Sequence, residues 1–292
     1  MTAKFLFGLA AAAAATILPT LAVAQNAPNA SASAEALAQE LDGDSITVGI
    51  GAGYLPDYEG SDDYRWTPVP GVIGSVSGIN FQVLGNRASA DLIPNTSGSS
   101  WDLQAGPLGV INFTRTNRAS INDPRVRALG ERDTAIELGG FVGIGKTGVI
   151  TSPYDRLSVS VSYRHDVSKV HRSGIWQPTI NYFTPLSTKS AVGLFGSVER
   201  VETRYLRTYY DISPAQSAVS GLPVYRNKGG WNSWTAGAIG TYSLTGNLLK
   251  GFKIVGGGTY RRLINDVADS PLVKVAGSRN QWLGVVGLAY TF

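Results

Sequence analysis

The chain of 292 residues contains no cysteine, and its single methionine is the first residue. Without cysteine there is no disulfide scaffold, no thiolate nucleophile, no zinc site with cysteine ligands and no iron–sulfur cluster. Charge is also scarce, because charged residues make up 16% of the chain against roughly 25% in an ordinary soluble domain. The formal net charge of +4 is spread along the chain. The composition therefore excludes a polycation that binds nucleic acid, and it points to no particular charged partner.

The amino-terminal segment has the pattern of a cleaved signal peptide. Lys4 is its only charge, residues 5–18 form an apolar run built largely of alanine, and Ala22-Val23-Ala24 ends it with a small-x-small pattern. The alternative is a membrane anchor, but the run is shorter than the ~20 residues that a spanning helix needs, and Pro19 closes it. We therefore predict a signal peptide at residues 1–24.

A compositional change follows the signal peptide. Residues 25–44 are rich in Ala, Asn, Ser and Gln and lack aromatic side chains, which predicts a flexible periplasmic tail. From residue 45 to residue 292 the dominant signal is a period of two, as where Ile46, Val48 and Ile50 alternate with small or polar residues. No later apolar run approaches ~18 residues. The sequence therefore predicts an all-β domain at 45–292, with no membrane-spanning helix.

Alternating strands in an exported chain are compatible with a soluble sandwich or with an outer-membrane barrel. A sandwich normally keeps more charge on its wet face than these strands carry. Here one face is Gly, Ser and Thr with occasional charge, as in a narrow polar lumen, and the other is aliphatic with Trp and Tyr toward the strand ends. The pattern favours an antiparallel transmembrane β-barrel, which leaves no unpaired backbone edge in lipid.

Loop lengths predict the number of strands, because long and short connections alternate in such barrels. Extending this alternation to the amino terminus requires residues 79–93 to be a hairpin that turns at Gly85-Asn86. Twelve strands result, and ten or fourteen remain compatible with the pattern. The predicted strands are 46–54, 66–74, the two arms of 79–93, 101–115, 134–146, 156–167, 174–183, 190–204, 233–244, 250–263 and 281–292.

Two strands carry the sharpest predictions. In the strand at 156–167, Val159 and Val161 should face lipid, and Ser160 and Ser162 should face the lumen. In the last strand, alternate residues are apolar up to Phe292. A final aromatic on such a strand is typical of the signal that the barrel-assembly machinery reads, so we expect that partner to bind through Phe292.

Three residue groups could suggest a chemical site. Gly49, Gly51 and Gly53 alternate within a strand with no helix behind them, which excludes a phosphate loop. The acidic residues of the 57–63 loop could ligate Ca²⁺, but their spacing is not that of an EF-hand, and a solvated acidic turn at the membrane border is favoured. These acidic residues are Asp57, Glu59, Asp62 and Asp63.

The two histidines, His165 and His171, could act as general bases at a barrel rim. Asp166 follows the first of them, but adjacent strand residues point to opposite faces, so His165 and Asp166 cannot form a dyad. We therefore predict no catalytic residues, no cofactor-binding residues and no metal site, and we expect the protein not to be an enzyme.

Several segments resemble the MipA/OmpV family of outer-membrane proteins, the MltA-interacting proteins. The resemblance covers nearly all of the chain after the signal peptide, and it departs from the family pattern at Asp266-Val267-Ala268-Asp269, where members commonly carry an Asp-Ala run. The residues that carry it are Tyr54-Leu55-Pro56-Asp57-Tyr58-Glu59-Gly60-Ser61-Asp62-Asp63-Tyr64, Pro68-Val69-Pro70, Gly106-Pro107, Ser220-Gly221-Leu222-Pro223-Val224-Tyr225 and Asp269-Ser270-Pro271-Leu272.

The resemblance implies a role in the Gram-negative outer membrane. The family's namesake is similar to a scaffold that bridges a murein transglycosylase and a murein synthase, and the family supplies no catalytic residues. Other members are linked to adhesion or to the passage of small solutes. We therefore expect a non-enzymatic scaffold with outer-membrane lipid and periplasmic murein enzymes as partners. A narrow solute pore, or adhesion through the outer loops, is the alternative.

Overall fold

A computed structural model describes residues 44–94 and 99–292. They form a closed antiparallel barrel in which each strand pairs with its neighbours in the chain and β1 pairs with β12. The strands are β1 (Ser45–Pro56), β2 (Tyr64–Val76), β3 (Ile79–Leu84), β4 (Arg87–Asp91), β5 (Trp101–Asn112), β6 (Ala135–Thr147), β7 (Arg156–Asp166), β8 (Gly174–Pro185), β9 (Ser190–Val201), β10 (Gly230–Ser243), β11 (Gly251–Leu263) and β12 (Asn280–Thr291).

Closure of the barrel leaves no free sheet edge between β1 and β12. Their register runs from Thr47 opposite Thr291 to Tyr54 opposite Gly284. The predicted fold class and the twelve strands are confirmed, including the hairpin that turns at Gly85-Asn86. The predicted signal peptide and tail lie outside the described residues, apart from residue 44.

The barrel exterior is apolar because the outward residues of each strand are aliphatic. Ile50, Val142 and Leu288 are 66%, 62% and 55% exposed, respectively. On β7, Val159 and Val161 are exposed, whereas Ser160 and Ser162 line a cavity inside the barrel, which confirms the predicted orientation of that strand. An aliphatic surface of this kind is typical of strands that face hydrocarbon.

Aromatic residues border this aliphatic surface at both ends. At one end the ring centroids of Tyr54 and Trp66 lie 5.3 Å apart, and those of Tyr260 and Trp282 lie 4.7 Å apart. At the other end Phe252 packs on Tyr290 at 4.8 Å. Two aromatic girdles that enclose an aliphatic band define a membrane-spanning barrel. In the described part of the chain, no helix is both long and apolar enough to cross a membrane.

The connections give the two ends of the barrel different characters. The turn at 186–189 and the turn at 244–250 lie at what we call the short-turn end, together with the start of β1 and the end of β12. The opposite, long-loop end carries a 3₁₀ turn at Arg118–Ser120 and all the α-helices of the described residues. These helices are α1 (Pro124–Ala128), α2 (Thr203–Tyr210), α3 (Pro214–Ser220), α4 (Asn265–Asp269) and α5 (Pro271–Lys274).

The long connections are not simple polar surface loops. They bury apolar residues in a hydrophobic cluster of their own, which includes Val126 of α1, Leu206 of α2, Leu222, and Leu272 of α5. Each helix has eight residues or fewer, which is about two turns. That length is too short to impose a helical period on a sequence dominated by strands.

Candidate functional site: a capped and divided lumen

The long-loop end of the barrel is closed by a cap, by which we mean the packed loops β1–β2, β5–β6, β9–β10 and β11–β12. Helix α2 forms its centre and buries Tyr205, Leu206, Tyr209 and Tyr210. These four residues lie at i, i+1, i+4 and i+5, so they occupy one side of the helix. The Tyr210 hydroxyl donates to the Glu59 carbonyl oxygen at 3.2 Å, which ties α2 to the β1–β2 loop.

The β1–β2 loop enters the cap through Tyr58, which is only 2% exposed. Its hydroxyl donates to the carbonyl oxygen of Ala276 at 2.6 Å and to that of Leu272 at 3.2 Å. Burial, assisted by the nearby negative charge of Asp123, raises the pKa of Tyr58 far above its ordinary value. The phenol therefore stays neutral and keeps its proton for these bonds.

Gly60 permits this close packing. Its φ of +103° favours glycine, and a Cβ at this position would lie 2.8 Å from Cγ2 of Val273. Asp57 is also buried, and its Oδ2 accepts from the Asn122 backbone N–H at 3.0 Å. The predicted solvated acidic turn is therefore wrong for Asp57 and Glu59, which are both buried.

The same geometry separates the carboxylates that we considered as Ca²⁺ ligands. Asp62 is exposed, whereas Glu59 turns into the lumen and pairs with Arg261. Across residues 44–94 and 99–292, no group of three His, Cys, Asp or Glu residues could hold a metal ion.

Below the cap, buried charges cross the lumen in what we call the charge belt: Glu59, Glu137, Arg164, Glu199 and Arg261. Arg164 Nε lies 2.6 Å from Glu137 Oε2, and Arg164 Nη2 lies 2.8 Å from Glu199 Oε2. Arg261 Nη2 lies 2.8 Å from Glu199 Oε1 and 2.6 Å from Glu59 Oε1. The belt therefore connects β6, β7, β9, β11 and the β1–β2 loop in one chain of ion pairs.

Neutral side chains extend the charge belt to β5, β8 and β10, and Gln177 of β8 links it to Arg87 of β4. Asn112 Nδ2 donates to Glu137 Oε1 at 3.0 Å, and Asn232 Nδ2 donates to Glu199 Oε1 at 3.3 Å. Gln177 Oε1 accepts from Arg87 Nη1 at 2.9 Å and from Arg164 Nη1 at 3.3 Å. With Arg87, three arginines balance the three glutamates, so the belt is close to neutral while it fills the lumen.

The two histidines lie in different environments. His165 points outward and is exposed, while Asp166 points inward, so the predicted separation of these residues is confirmed. His171 is buried, with Nε2 at 3.2 Å from Glu137 Oε1 and its ring centroid 5.0 Å from that of Tyr205. Its ring is therefore held between the belt and the cap.

Between the belt and the short-turn end, the lumen has two unlike walls. One wall is polar and encloses a cavity of about 60 Å³, lined by residues such as Gln82, Gln104, Ser160 and Asn181. The other is apolar and encloses a cavity of about 240 Å³. The expected lumen of small and polar residues is thus found on β1 and around the cavity lined by β3–β8. It is wrong for the parts of β2 and β9–β12 that line the larger cavity, where Ile73, Phe195, Ile239, Val255 and Val285 point inward.

These features define a class: a transmembrane β-barrel of twelve strands whose lumen is capped at one end. A family model described as MltA-interacting protein MipA matches residues 48–292, so the chain belongs to that family. This match confirms the resemblance found in the sequence.

Comparison with curated proteins gave no match. Among solved structures, the barrel is similar to an outer membrane channel from Pseudomonas putida F1, with 12% identity, a TM-score of 0.43, and coverage of 86% of this chain and 96% of that chain. It is also similar to the outer membrane channel DcaP of Acinetobacter baumannii, with 10% identity, a TM-score of 0.38, and coverage of 86% and 96%. It is also similar to OmpT of Vibrio cholerae, with 7% identity, a TM-score of 0.35, and coverage of 86% of this chain and 97% of that chain.

Proposed function

We propose that this protein is a non-enzymatic scaffold of the outer membrane, which holds a murein transglycosylase at its short-turn end. The family is described by its interaction with MltA, which supports a transglycosylase as partner. In outer-membrane barrels the short turns and both chain termini face the periplasm, where the murein lies. A murein synthase bound by the same surface, and the barrel-assembly machinery bound through Phe292, belong to the same proposal.

The filled outer lumen is the observation that favours a scaffold over a pore. The charge belt crosses the barrel, and Tyr205, Tyr209 and Tyr210 pack above it with 1% exposure each. A pore needs an open path, and opening one here would break several buried ion pairs at once. A scaffold needs only a rigid wall and a binding surface, and the belt stiffens the wall by joining strands on opposite sides.

The β6–β7 turn offers a preorganised surface at the short-turn end. Asp155 is fully buried, and its carboxylate accepts the backbone N–H groups of Val149 at 2.6 Å and Ile150 at 2.8 Å. Although burial acts to raise the pKa of Asp155, the bonds from Thr151, Val149 and Ile150 lower it far below its usual range. The turn therefore stays fixed and presents Ile150, which is 66% exposed.

An exposed apolar side chain on a rigid turn loses little conformational entropy when a partner covers it. We therefore assign Ile150 to the contact with the transglycosylase. The test is co-purification of the transglycosylase with tagged protein from detergent-solubilised envelopes. Ile150→Asp should remove the transglycosylase from the eluate, whereas Val219→Asp should retain it, because Val219 is 67% exposed on α3 at the opposite end. Equal recovery with both variants would contradict the assignment of Ile150.

A narrow pore for small solutes is the second candidate, because the lumen keeps open space on the short-turn side of the belt. Single-channel recording of the same preparation separates the two functions. The scaffold predicts no reproducible conductance steps in planar bilayers, whereas uniform steps would favour the pore. Adhesion through the long loops is less well supported, because these loops direct many of their apolar residues into the cap.

A further inference from the structure

We propose that the apolar side of the lumen is a binding site for a small amphipathic carboxylate, with Lys253 as the group that binds its carboxylate. The inference goes beyond the scaffold role and does not depend on it, because the site lies inside the barrel. It rests on three observations: the size and apolar lining of the cavity, the unpaired charge of Lys253, and the position of that charge at one end of the cavity.

The cavity has a wall suited to an apolar molecule. Its volume is about 240 Å³, which exceeds the roughly 150 Å³ of a dry protein cavity known to hold benzene. Inward side chains from β2, β9, β10, β11 and β12 line it, while glycines of β1 and β2 widen it. The apolar lining includes Ile73, Phe195, Ile239, Val255 and Val285.

Lys253 places one positive charge in this apolar wall. Its side chain points inward from β11, and the residue is 5% exposed. The ammonium group donates to the Leu248 carbonyl oxygen and to Thr291 Oγ1. Within the described part of the chain, no carboxylate forms an ion pair with Lys253. A buried charge is costly unless it is paired, and an ammonium has three donors, so one N–H remains for an anionic ligand.

The opposite wall shows that this lone charge is unusual for the lumen. There Arg156 pairs with Asp102, and Arg87 Nη1 donates to Gln177 Oε1 at 2.9 Å. Of these two cavities, only the apolar one is lined by a lysine, so a carboxylate that entered it would find the ammonium group of Lys253. An inorganic anion would satisfy the charge but leave the apolar volume empty.

The position of Lys253 fixes the orientation of the ligand. Leu248 is 1% exposed and packs with Phe183, Ala191 and Leu249 beneath the cavity, at the short-turn end. Because Lys253 bonds to the Leu248 carbonyl, its ammonium lies beside this floor. The carboxylate would thus lie near the short-turn end, and the apolar body would extend toward the charge belt.

The experiment is calorimetric titration of the full protein in phospholipid nanodiscs with octanoate, with empty nanodiscs titrated in parallel. Octanol is the matched neutral probe, since it has the same chain without the charge. We expect octanoate to bind the wild-type protein at least about tenfold more tightly than octanol, because a charged hydrogen bond contributes that much. Lys253→Met should abolish this difference while leaving octanol binding in place.

Lys146→Met is the control, because Lys146 lies outside the barrel over the Trp101 ring. It should bind octanoate as the wild type does. The difference in gel mobility between unheated and boiled samples shows whether each variant is folded. The comparison of octanoate with octanol on the wild-type protein needs no variant at all. Equal affinity for the two probes, or no heat beyond that of empty nanodiscs, would overturn the proposal, whatever the result of the transglycosylase co-purification.

Discussion

Arg164 is the residue whose removal tests the charge belt most directly. It bonds to Glu137 on one side and Glu199 on the other, and its side chain is 3% exposed. In Arg164→Met the aliphatic part of the side chain is roughly preserved while both ion pairs are lost. The two glutamates then remain in a site that excludes water.

The expected loss of stability follows from what each glutamate retains. Removing one partner of a buried ion pair costs about 3–5 kcal/mol. Glu137 keeps its bond from Asn112 and its contact with His171, while Glu199 keeps Arg261. Because both carboxylates stay partly compensated, we place the cost for Arg164→Met at the lower limit, about 3 kcal/mol.

Urea unfolding in lipid vesicles, followed by tryptophan fluorescence, measures this cost. Arg200→Met is the control, since Arg200 follows the belt residue Glu199 on β9 but is exposed, and it should change the free energy of unfolding by about 0.5 kcal/mol or less. Adding Glu137→Gln to Arg164→Met removes one of the stranded charges. The double variant should therefore be less destabilised than the sum of the two single variants, by roughly 1 kcal/mol or more. If Arg164→Met and Arg200→Met unfold alike, the buried belt does not stabilise the barrel.

Three further predictions concern the wall, the last strand and one turn. Val161→Arg on the lipid face should destabilise the barrel by roughly 2–4 kcal/mol in urea unfolding, whereas Ser160→Arg beside the polar cavity should cost much less; reversed costs would mean that β7 is assigned inside out. Phe292→Ala should lower the yield of heat-modifiable barrel in cells, and an unchanged yield would argue against an assembly signal there. Asp155→Asn should cost about 1–3 kcal/mol at pH 7. Because the pKa of Asp155 is lowered in the folded state, the stabilisation that its carboxylate provides is present above pH ~4 and is lost as the pH falls. The free energy of unfolding of Asp155→Asn should therefore decrease less at acid pH than that of the wild-type protein.

The strands could be predicted from the sequence because their constraint is local. Each outward residue faces lipid whatever its neighbours are, so apolar residues recur with a period of two in almost every strand. The hairpin at Gly85-Asn86 was predictable only through loop parity, since its arms, Ile79–Leu84 and Arg87–Asp91, are short. Loop parity depends on all the connections in the chain, so it predicted this hairpin although its two arms are too short to be recognised as membrane strands on their own.

The cap and the charge belt could not be predicted in the same way, because they depend on register. Glu137, Arg164, Glu199 and Arg261 each occupy an inward position, and that much was readable from the alternation. Whether these four inward charges lie at the same level along the barrel axis depends on strand tilt and stagger, which cannot be read from the sequence. The apolar wall was missed because inward Ile and Val residues look like ordinary core positions until the lumen is closed around them.

The Pro68-Val69-Pro70 segment shows how a family motif can follow from the shape of the barrel. Because the β3–β4 hairpin is short, β3 pairs with β2 only from Gly71 to Val76, and the Gly85 N–H reaches the Pro70 carbonyl oxygen at 2.9 Å. Successive residues of a strand direct their backbone groups to alternate sides, so residues 64, 66, 68 and 70 of β2 face the side where no strand continues. Proline has no N–H, and two of these four positions are proline. The motif therefore removes half of the donors that an open edge would otherwise expose, at the place where the barrel cannot pair them.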